Sequence, residues 1–194
     1  MNLNIQIFSF FNSLAGQSDF WDKVFVFITD DFGYILLGFV VLVWILGFVK
    51  RKKTESNFEA KADLWRITKE LAVIGITLCI TVVLAEVLKK FIGEPRPFVT
   101  LPNVKLLVAE NPYLSFPSLH AALYSTLAVC VFHYRKKFGI FLMISALVIA
   151  MSRLVVGVHF PVDILAGISL GILVAVYSRP KIEKIVEKIS RFGV

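Results

Sequence analysis

Long apolar runs separated by short charged segments form the main pattern of the sequence. An α-helix that crosses a bilayer needs about 20 apolar residues, and several runs approach or exceed that length. We predict five membrane spans, at residues 32–49, 71–88, 119–132, 138–158 and 161–177. The pattern therefore predicts an all-α fold, a polytopic membrane helical bundle that forms a single integral membrane domain over residues 1–194.

Three amphipathic or mixed segments lie outside these spans. Residues 1–14 are too short to cross a bilayer but apolar enough to lie flat on it, so we predict an N-terminal interfacial helix. Residues 54–70 are charged, and we expect a short loop with an amphipathic lead-in to the second span. Residues 179–194 are basic with one apolar face, which favours a helix lying on the anionic inner surface of the membrane.

The composition excludes a soluble domain. The chain is 57% hydrophobic and 18% charged, whereas soluble domains carry about 25% charged residues. Its net charge of +7 could indicate a nucleic-acid partner. Most of the 21 Lys and Arg, however, fall at 50–69, 135–137 and 179–191, between or after the apolar runs. This is the positive-inside pattern of membrane proteins, so we expect membrane lipids, and no nucleic acid, as partners.

The same distribution of charge predicts the orientation of the chain. Basic segments of a multi-pass protein in the inner (cytoplasmic) membrane face the cytoplasm, so five crossings place the N-terminus outside and the C-terminus inside. Residues 89–120 and 153–163 then both emerge on the outer side, facing the periplasm or the exterior. Two groups of charged side chains that are distant in sequence therefore share one face of the membrane.

Ionisable residues at the ends of these spans form three clusters. Charged groups near a bilayer usually pair with each other or line a water-filled site. The clusters are Lys89 with Arg96-Pro97, then Pro117-Ser118-Leu119-His120, and finally Ser152-Arg153 with His159 and Asp163. Three cations, two histidines, a carboxylate and a helix N-terminus are together the groups that would bind and transfer a phosphate.

The two histidines have separate tasks in such a reaction. One imidazole must attack the phosphorus, and the other must protonate the leaving oxygen. Asp163 follows His159 by four residues, about one helical turn, so its carboxylate could fix the tautomer of that ring. His120 is left as the general acid.

Each of these residues also has a plainer interpretation when it is taken alone. Lys89 could anchor a span end at the interface, and Asp163 could cap the fifth span. Glu86, one turn before Lys89, is best interpreted as an ion-pair partner that holds a lysine in place. The joint spacing of the three clusters favours chemistry over these separate roles.

That joint spacing resembles a known family. The pattern Lys-x6-Arg-Pro, then Pro-Ser-x-His, then Ser-Arg-x5-His-x3-Asp is similar to the type 2 phosphatidic acid phosphatases, the membrane branch of a superfamily shared with vanadium haloperoxidases. The segments 25–29, 94–98 and 115–118 further resemble bacterial undecaprenyl-diphosphate phosphatases of the bacitracin-resistance kind. We therefore expect a fold like that of this superfamily.

The resemblance also implies a role for each motif residue. His159 would form a phosphohistidine, Asp163 would orient it, and His120 would supply the proton for the leaving group. Water would then hydrolyse the intermediate without a metal or another cofactor. The implied phosphate-binding residues are Lys89, Arg96, Ser118, Leu119 and Arg153.

One position departs from the pattern of the family. Leu119 stands where these phosphatases usually carry glycine between the serine and the histidine of the second motif. A backbone N–H at a helix start needs no positive φ, so Leu119 can still donate it to a phosphate. We expect its side chain to influence which lipid fits.

Undecaprenyl diphosphate is the first substrate we predict, hydrolysed to the monophosphate and inorganic phosphate at the outer leaflet. Phosphatidylglycerophosphate and the 1-phosphate of lipid A are alternatives with the same chemistry. A different class of function, a transporter or scaffold that binds lipid phosphates without cleaving them, would use the same cations. It would have no use for the two histidines together with Asp163.

Overall fold

The computed structural model describes residues 2–52 and 57–192, and within these residues the chain is helical and contains no strand. The predicted all-α fold class is therefore confirmed. Its helices are α1 (Leu3–Asn12), α2 (Asp19–Asp30), α3 (Phe32–Lys52), α4 (Asn57–Ile92), α5 (Pro97–Thr100), α6 (Leu119–Tyr134), α7 (Lys136–Val155) and α8 (Pro161–Phe192).

Helix α6 lies at the centre of the bundle, against α4, α7 and α8. Among the described residues, α3, α4, α7 and α8 are long and apolar enough to cross a membrane. The third predicted span, α6, has only 16 residues, fewer than the roughly 20 that an isolated crossing helix needs. Because most of its residues are buried, α6 contacts protein where a peripheral helix would contact lipid.

Two glycines allow α8 to approach α6 closely. A Cβ atom at Gly167 would lie 2.4 Å from the carbonyl oxygen of Ser118, and one at Gly171 would lie 2.3 Å from that of Ala122. Across the second glycine, Thr126 Oγ1 donates a hydrogen bond to the Gly171 carbonyl over 3.1 Å. Small residues four apart are a common device for packing membrane helices, since they bring two backbones into contact.

The polar lead-in to the second span is helical. Helix α4 begins at Asn57, so residues 57–70 contain no loop, and the amphipathic lead-in that was predicted there is the first part of α4. Positions 54–56 of that prediction lie outside the described residues. The polar start of α4 is stabilised by contacts from the end of α8. Lys69 Nζ lies 3.3 Å from a carboxylate oxygen of Glu183 and 2.9 Å from one of Glu187.

The predicted basic tail is a continuation of the last span. Helix α8 runs without a break through Pro180 to Phe192, and the last two residues of the predicted segment lie outside the described part of the chain. Ile182 is buried, and the ion pairs with Lys69 lie along the same stretch. Contact with the extended α4 therefore offsets the backbone hydrogen bond that a proline removes.

The fourth span ends earlier than predicted. Helix α7 stops at Val155, and Gly157 follows with a φ of +85°. A side chain could not be placed here, because a Cβ on Gly157 would lie 2.6 Å from the carbonyl oxygen of Lys105. The short turn after α7 therefore brings the chain back towards the bundle and carries His159 with it.

Helix α1 is docked on this turn. The predicted interfacial helix exposes Leu3, Ile7 and Phe10, but its opposite face is in contact with protein. The buried ring of Phe8 lies 5.4 Å from the ring of Phe160. Helix α1 thus packs against the segment that follows His159, in addition to exposing an apolar face.

Asn12, at the end of α1, makes three hydrogen bonds with its side chain. Its Nδ2 donates to the carbonyl of Lys105 over 2.8 Å and to that of Val155 over 2.9 Å. Its Oδ1 accepts from the Lys105 N–H over 3.0 Å. One amide therefore links α1, the end of α7 and the loop between α5 and α6.

Candidate active site

Four segments meet at one end of the bundle and enclose a cavity of about 130 Å³. They are the last turn of α4, the first turn of α6, the last turn of α7 and the connection between α7 and α8. The loop between α5 and α6 closes the side. The lining residues are Glu86, Lys89, Arg96, Glu110, Asn111, Leu114, Leu119, His120, Arg153 and His159.

Backbone carbonyls fix two of the cations that line this cavity. Lys89 Nζ donates to the Leu114 carbonyl over 2.7 Å. Arg96 donates from Nε to the Asn111 carbonyl over 2.7 Å and from Nη1 to that of Val158 over 2.8 Å. Both side chains are almost fully buried, so their positive charges are held in place before any ligand arrives.

Arg153, the third cation, is completely buried. Its Nη2 donates to the carboxylate of Glu110, and its Nη1 lies 3.6 Å from Asp30 Oδ1. Nε and Nη1 have no hydrogen-bond partner among the described residues. A buried donor without an acceptor costs roughly 1–3 kcal/mol. An anionic ligand that accepted hydrogen bonds from Nε and Nη1 would remove this cost.

The ring of His159 lies between the cations and a carboxylate. Its Nε2 is 3.4 Å from Arg96 Nη1, and its Nδ1 is 3.4 Å from both Ser115 Oγ and Asp163 Oδ2. The Nε2 side of the imidazole therefore faces the cations, and the Nδ1 side faces Asp163. The predicted contact of the two residues is present, although 3.4 Å is longer than a strong hydrogen bond.

The surroundings of His159 keep its ring neutral. Burial lowers the pKa of His159 well below its ordinary value, and the positive charges of Arg153, Arg96 and Lys89 lower it further. A neutral imidazole keeps a lone pair on one ring nitrogen. That lone pair is what an attack on phosphorus requires.

Asp163 also shapes the turn that carries the nucleophile candidate. Its Oδ2 accepts hydrogen bonds from Ser115 Oγ over 2.6 Å and from the Phe160 N–H over 2.8 Å. The second bond runs from the N–H of the residue before α8 to the side chain of the third helical residue, as in a capping box. The capping role weighed for Asp163 is therefore present together with its contact to His159.

The second motif places His120 in the first turn of α6, and both Leu119 and His120 line the cavity. Ser118 does not line it. Its Oγ accepts from the Ala121 N–H over 3.5 Å, and its own N–H donates to the Asp163 carbonyl over 3.0 Å. Ser118 thus caps α6, and the expectation that it binds phosphate stays a prediction.

The structure brings most of the predicted site together. The members that line one cavity are Lys89, Arg96, Leu119, His120, Arg153 and His159. Asp163 lies directly behind this group, against His159. Glu86 lines the cavity too, one turn before Lys89.

Glu110 and Ser115 were not predicted from the sequence. Glu110 contacts two arginines of the cavity. Its Oε2 lies 3.1 Å from Arg96 Nη2, and its Oε1 contacts Arg153 Nη2. A signal for it existed, because it is the only acidic residue between Glu94 and Asp163. Several cations in one buried site require a counter-charge, and this stretch offered no other.

Comparisons with known proteins agree with the motif pattern. The model of the PAP2 superfamily matches residues 70–186. Bacitracin transport permease protein BcrC of Bacillus licheniformis is 31% identical over 98% of this chain and 87% of its own length. Undecaprenyl-diphosphatase BcrC of Bacillus subtilis is 27% identical over 89% of this chain and 80% of its own.

Two crystal structures share the fold. The structure of Aquifex aeolicus LpxE superposes with a TM-score of 0.68 and 27% identity, over 92% of this chain and 95% of the other. A transmembrane PAP2-type phosphatidylglycerolphosphate phosphatase from Bacillus subtilis gives a TM-score of 0.59 and 26% identity, over 97% and 87%. The helical bundle of this chain is thus similar to that of transmembrane PAP2 proteins.

Proposed function

The chain belongs to the PAP2 superfamily and is a membrane phosphatase, and from that premise we propose that it hydrolyses undecaprenyl diphosphate to the monophosphate and inorganic phosphate. One observation carries the catalytic part of this proposal. The imidazoles of His120 and His159 line the same small cavity as three buried cations. A site that only bound an anion would need the cations alone.

In the first step, Nε2 of His159 attacks the terminal phosphorus. The Nε2–P bond forms as the bond from phosphorus to the bridging oxygen breaks, and the lipid monophosphate leaves. His120 gives its proton to that oxygen. The three cations stabilise the charge that spreads over the transferring group.

In the second step, water attacks the phosphohistidine. His120, now without its proton, accepts one from the water, and the P–Nε2 bond breaks to release inorganic phosphate. Asp163 stabilises the ring of His159 while it carries positive charge. Both histidines return to their starting states, so the cycle needs no metal or other cofactor.

The orientation of the chain determines which leaflet supplies the substrate. The basic clusters at 135–137 and at the end of α8 lie at the other end of the bundle from the cavity. With the positive-inside rule, this supports an active site that faces the periplasm or exterior and a C-terminus in the cytoplasm of an inner-membrane protein. A tag after Val194 that is accessible from outside would overturn this orientation.

The substrate is tested by phosphate release from purified enzyme across lipid phosphates at matched surface concentration. The panel contains undecaprenyl diphosphate, phosphatidylglycerophosphate and the 1-phosphate of lipid A. We expect the highest kcat/KM for the polyprenyl diphosphate, in agreement with the name of the Bacillus subtilis relative. A preference for phosphatidylglycerophosphate, after which the Bacillus subtilis phosphatase of similar fold is named, would reassign the substrate but not the chemistry.

A further inference from the structure

Glu110 binds two of the arginines that line the cavity in which we propose that phosphate is bound. Its two carboxylate oxygens contact different arginines, Oε2 at 3.1 Å from Arg96 Nη2 and Oε1 against Arg153 Nη2. These are two of the three cations that line the cavity. A carboxylate and a phosphate present oxygens to guanidinium groups in the same way. The two cannot hold the same donors at the same time.

Charge explains why an internal anion is present. Arg96 and Arg153 are both buried, and buried like charges are costly unless an anion is close. Burial alone would raise the pKa of Glu110, but the guanidinium groups of Arg153 and Arg96 outweigh this and lower it. The carboxylate is therefore ionised and neutralises part of the cluster while the cavity is empty.

The backbone beside Glu110 is attached to one of the same arginines. The Arg96 N–H donates to the Pro112 carbonyl over 2.9 Å, and Arg96 Nε donates to the Asn111 carbonyl over 2.7 Å. The side chain of Glu110, in contrast, is 28% exposed. Rotation of this side chain towards solvent would free both arginines without breaking the backbone bonds.

We infer that Glu110 is a positioning residue that acts as an internal substitute for phosphate: it keeps Arg96 and Arg153 aligned in the empty site, yields them to the substrate, and returns to displace inorganic phosphate after hydrolysis. This inference rests on the proposed function, because it requires the cavity to be the phosphate site. With such competition, the apparent affinity for any phosphate is the intrinsic affinity multiplied by the fraction of molecules in which Glu110 is displaced.

The first test compares binding of inorganic phosphate and orthovanadate to wild-type protein and to Glu110→Gln. Glutamine has the same size but no charge, so it competes poorly for the arginines. We expect Glu110→Gln to bind vanadate about tenfold more tightly by calorimetry in detergent, and phosphate to inhibit it at correspondingly lower concentration. Vanadate affinity equal to or weaker than that of the wild type would overturn the inference.

Glu86→Gln is the matched control. It removes one negative charge from the lining of the same cavity, but no hydrogen bond or ion pair between Glu86 and an arginine is found in the described residues. We expect a change in vanadate affinity of less than about threefold, since only the general field is altered. An equal gain in both variants would mean that net charge, and not competition for the arginines, controls binding.

A second variant covers the case in which Glu110→Gln does not fold. Glu110→Asp keeps the charge but is one methylene shorter, so its carboxylate cannot reach both arginines in this geometry. We expect vanadate affinity about threefold higher than that of the wild type. Unchanged or weaker binding would count against the inference.

Hydrolysis by the wild type, measured in the same preparations, separates this inference from the proposed function. If the wild type releases phosphate but Glu110→Gln gains no vanadate affinity, the role of Glu110 alone is wrong. If Glu110→Gln gains affinity but the wild type hydrolyses no lipid phosphate, the catalytic proposal is wrong and the competition for the arginines stands.

Discussion

Ser115 Oγ donates a 2.6 Å hydrogen bond to Asp163 Oδ2, across 48 positions of the chain. Ser115 is fully buried and lies in the segment just before α6. The same Oδ2 faces Nδ1 of His159. The loop between α5 and α6 therefore helps to orient the carboxylate that orients the nucleophile candidate.

Replacing Ser115 by alanine tests this relationship. Without the hydroxyl, Asp163 loses one of two strong hydrogen bonds and can rotate away from His159. We expect kcat to fall about tenfold with little change in KM, because the loss acts on the ring in the transition state. Ser115→Thr keeps a hydroxyl and should recover most of the activity. A change confined to KM would contradict the assignment.

Replacing His159 by alanine distinguishes an enzyme from a lipid-phosphate binder. The proposed mechanism loses its nucleophile, so we expect phosphate release to fall by about 1,000-fold or more. Binding of inorganic phosphate should persist, because the three cations are unaffected. A variant that still releases phosphate at a substantial rate would exclude the phosphohistidine.

Metal removal tests the proposed role of the cations. The described side chains supply Lys89, Arg96 and Arg153 to stabilise the transferring phosphoryl group, and the reaction as written requires no metal. We expect phosphate release to continue unchanged in excess EDTA. Loss of activity that Mg²⁺ restores would count against the mechanism.

The neutral state of His159 predicts how stability depends on pH. Burial and nearby cations lower the pKa of His159, so the unfolded chain binds its proton more readily than the native protein. The native protein therefore keeps the full stability contribution of the neutral His159 ring above about pH 6.5, the ordinary pKa of histidine. That contribution is lost as the pH falls below this value. The expected slope is up to about 1.4 kcal/mol per pH unit.

The measurement compares thermal unfolding of the wild type and His159→Asn at about pH 7.5 and about pH 5.5. Asparagine does not titrate, so the variant should lose less stability over this interval. Equal losses in both proteins would show that other groups account for the pH dependence.

Asn12→Ala tests the link between α1 and the site. The substitution removes three hydrogen bonds from a buried position, and at roughly 1 kcal/mol each we expect the free energy of unfolding to fall by about 2–3 kcal/mol. Ser13→Ala, one residue later on an exposed position, is a matched control and should change stability by less than about 1 kcal/mol. Chemical denaturation in detergent provides the measurement.

The fold class and the composition of the cavity could be predicted because they depend on local patterns. Apolar runs of spanning length predict helices regardless of their neighbours. Lys89, His120 and Arg153 lie in the terminal turns of helices, and Arg96 and His159 lie in the connections beside those turns. Three clusters of the sequence contribute these residues, and each cluster has its own motif.

The remaining features depend on contacts that have no local signature. The continuation of α8 through Pro180 is stabilised by Lys69, more than 100 positions away, whereas hydropathy alone predicts that the span ends at Tyr177. Glu110 belongs to no motif, and its contacts with two buried arginines depend on the tertiary structure.

The paired ends of α4 and α8 have a practical use. From Lys69 to Lys89, α4 continues without a break, which at 1.5 Å per residue is about 30 Å. The ion-paired end is therefore remote from the chemistry yet rigidly connected to it. A fiducial domain fused to these two paired helix ends would move with the bundle as one body. It would enlarge a small membrane enzyme for electron cryomicroscopy and leave the end of the bundle that contains the cavity unobstructed.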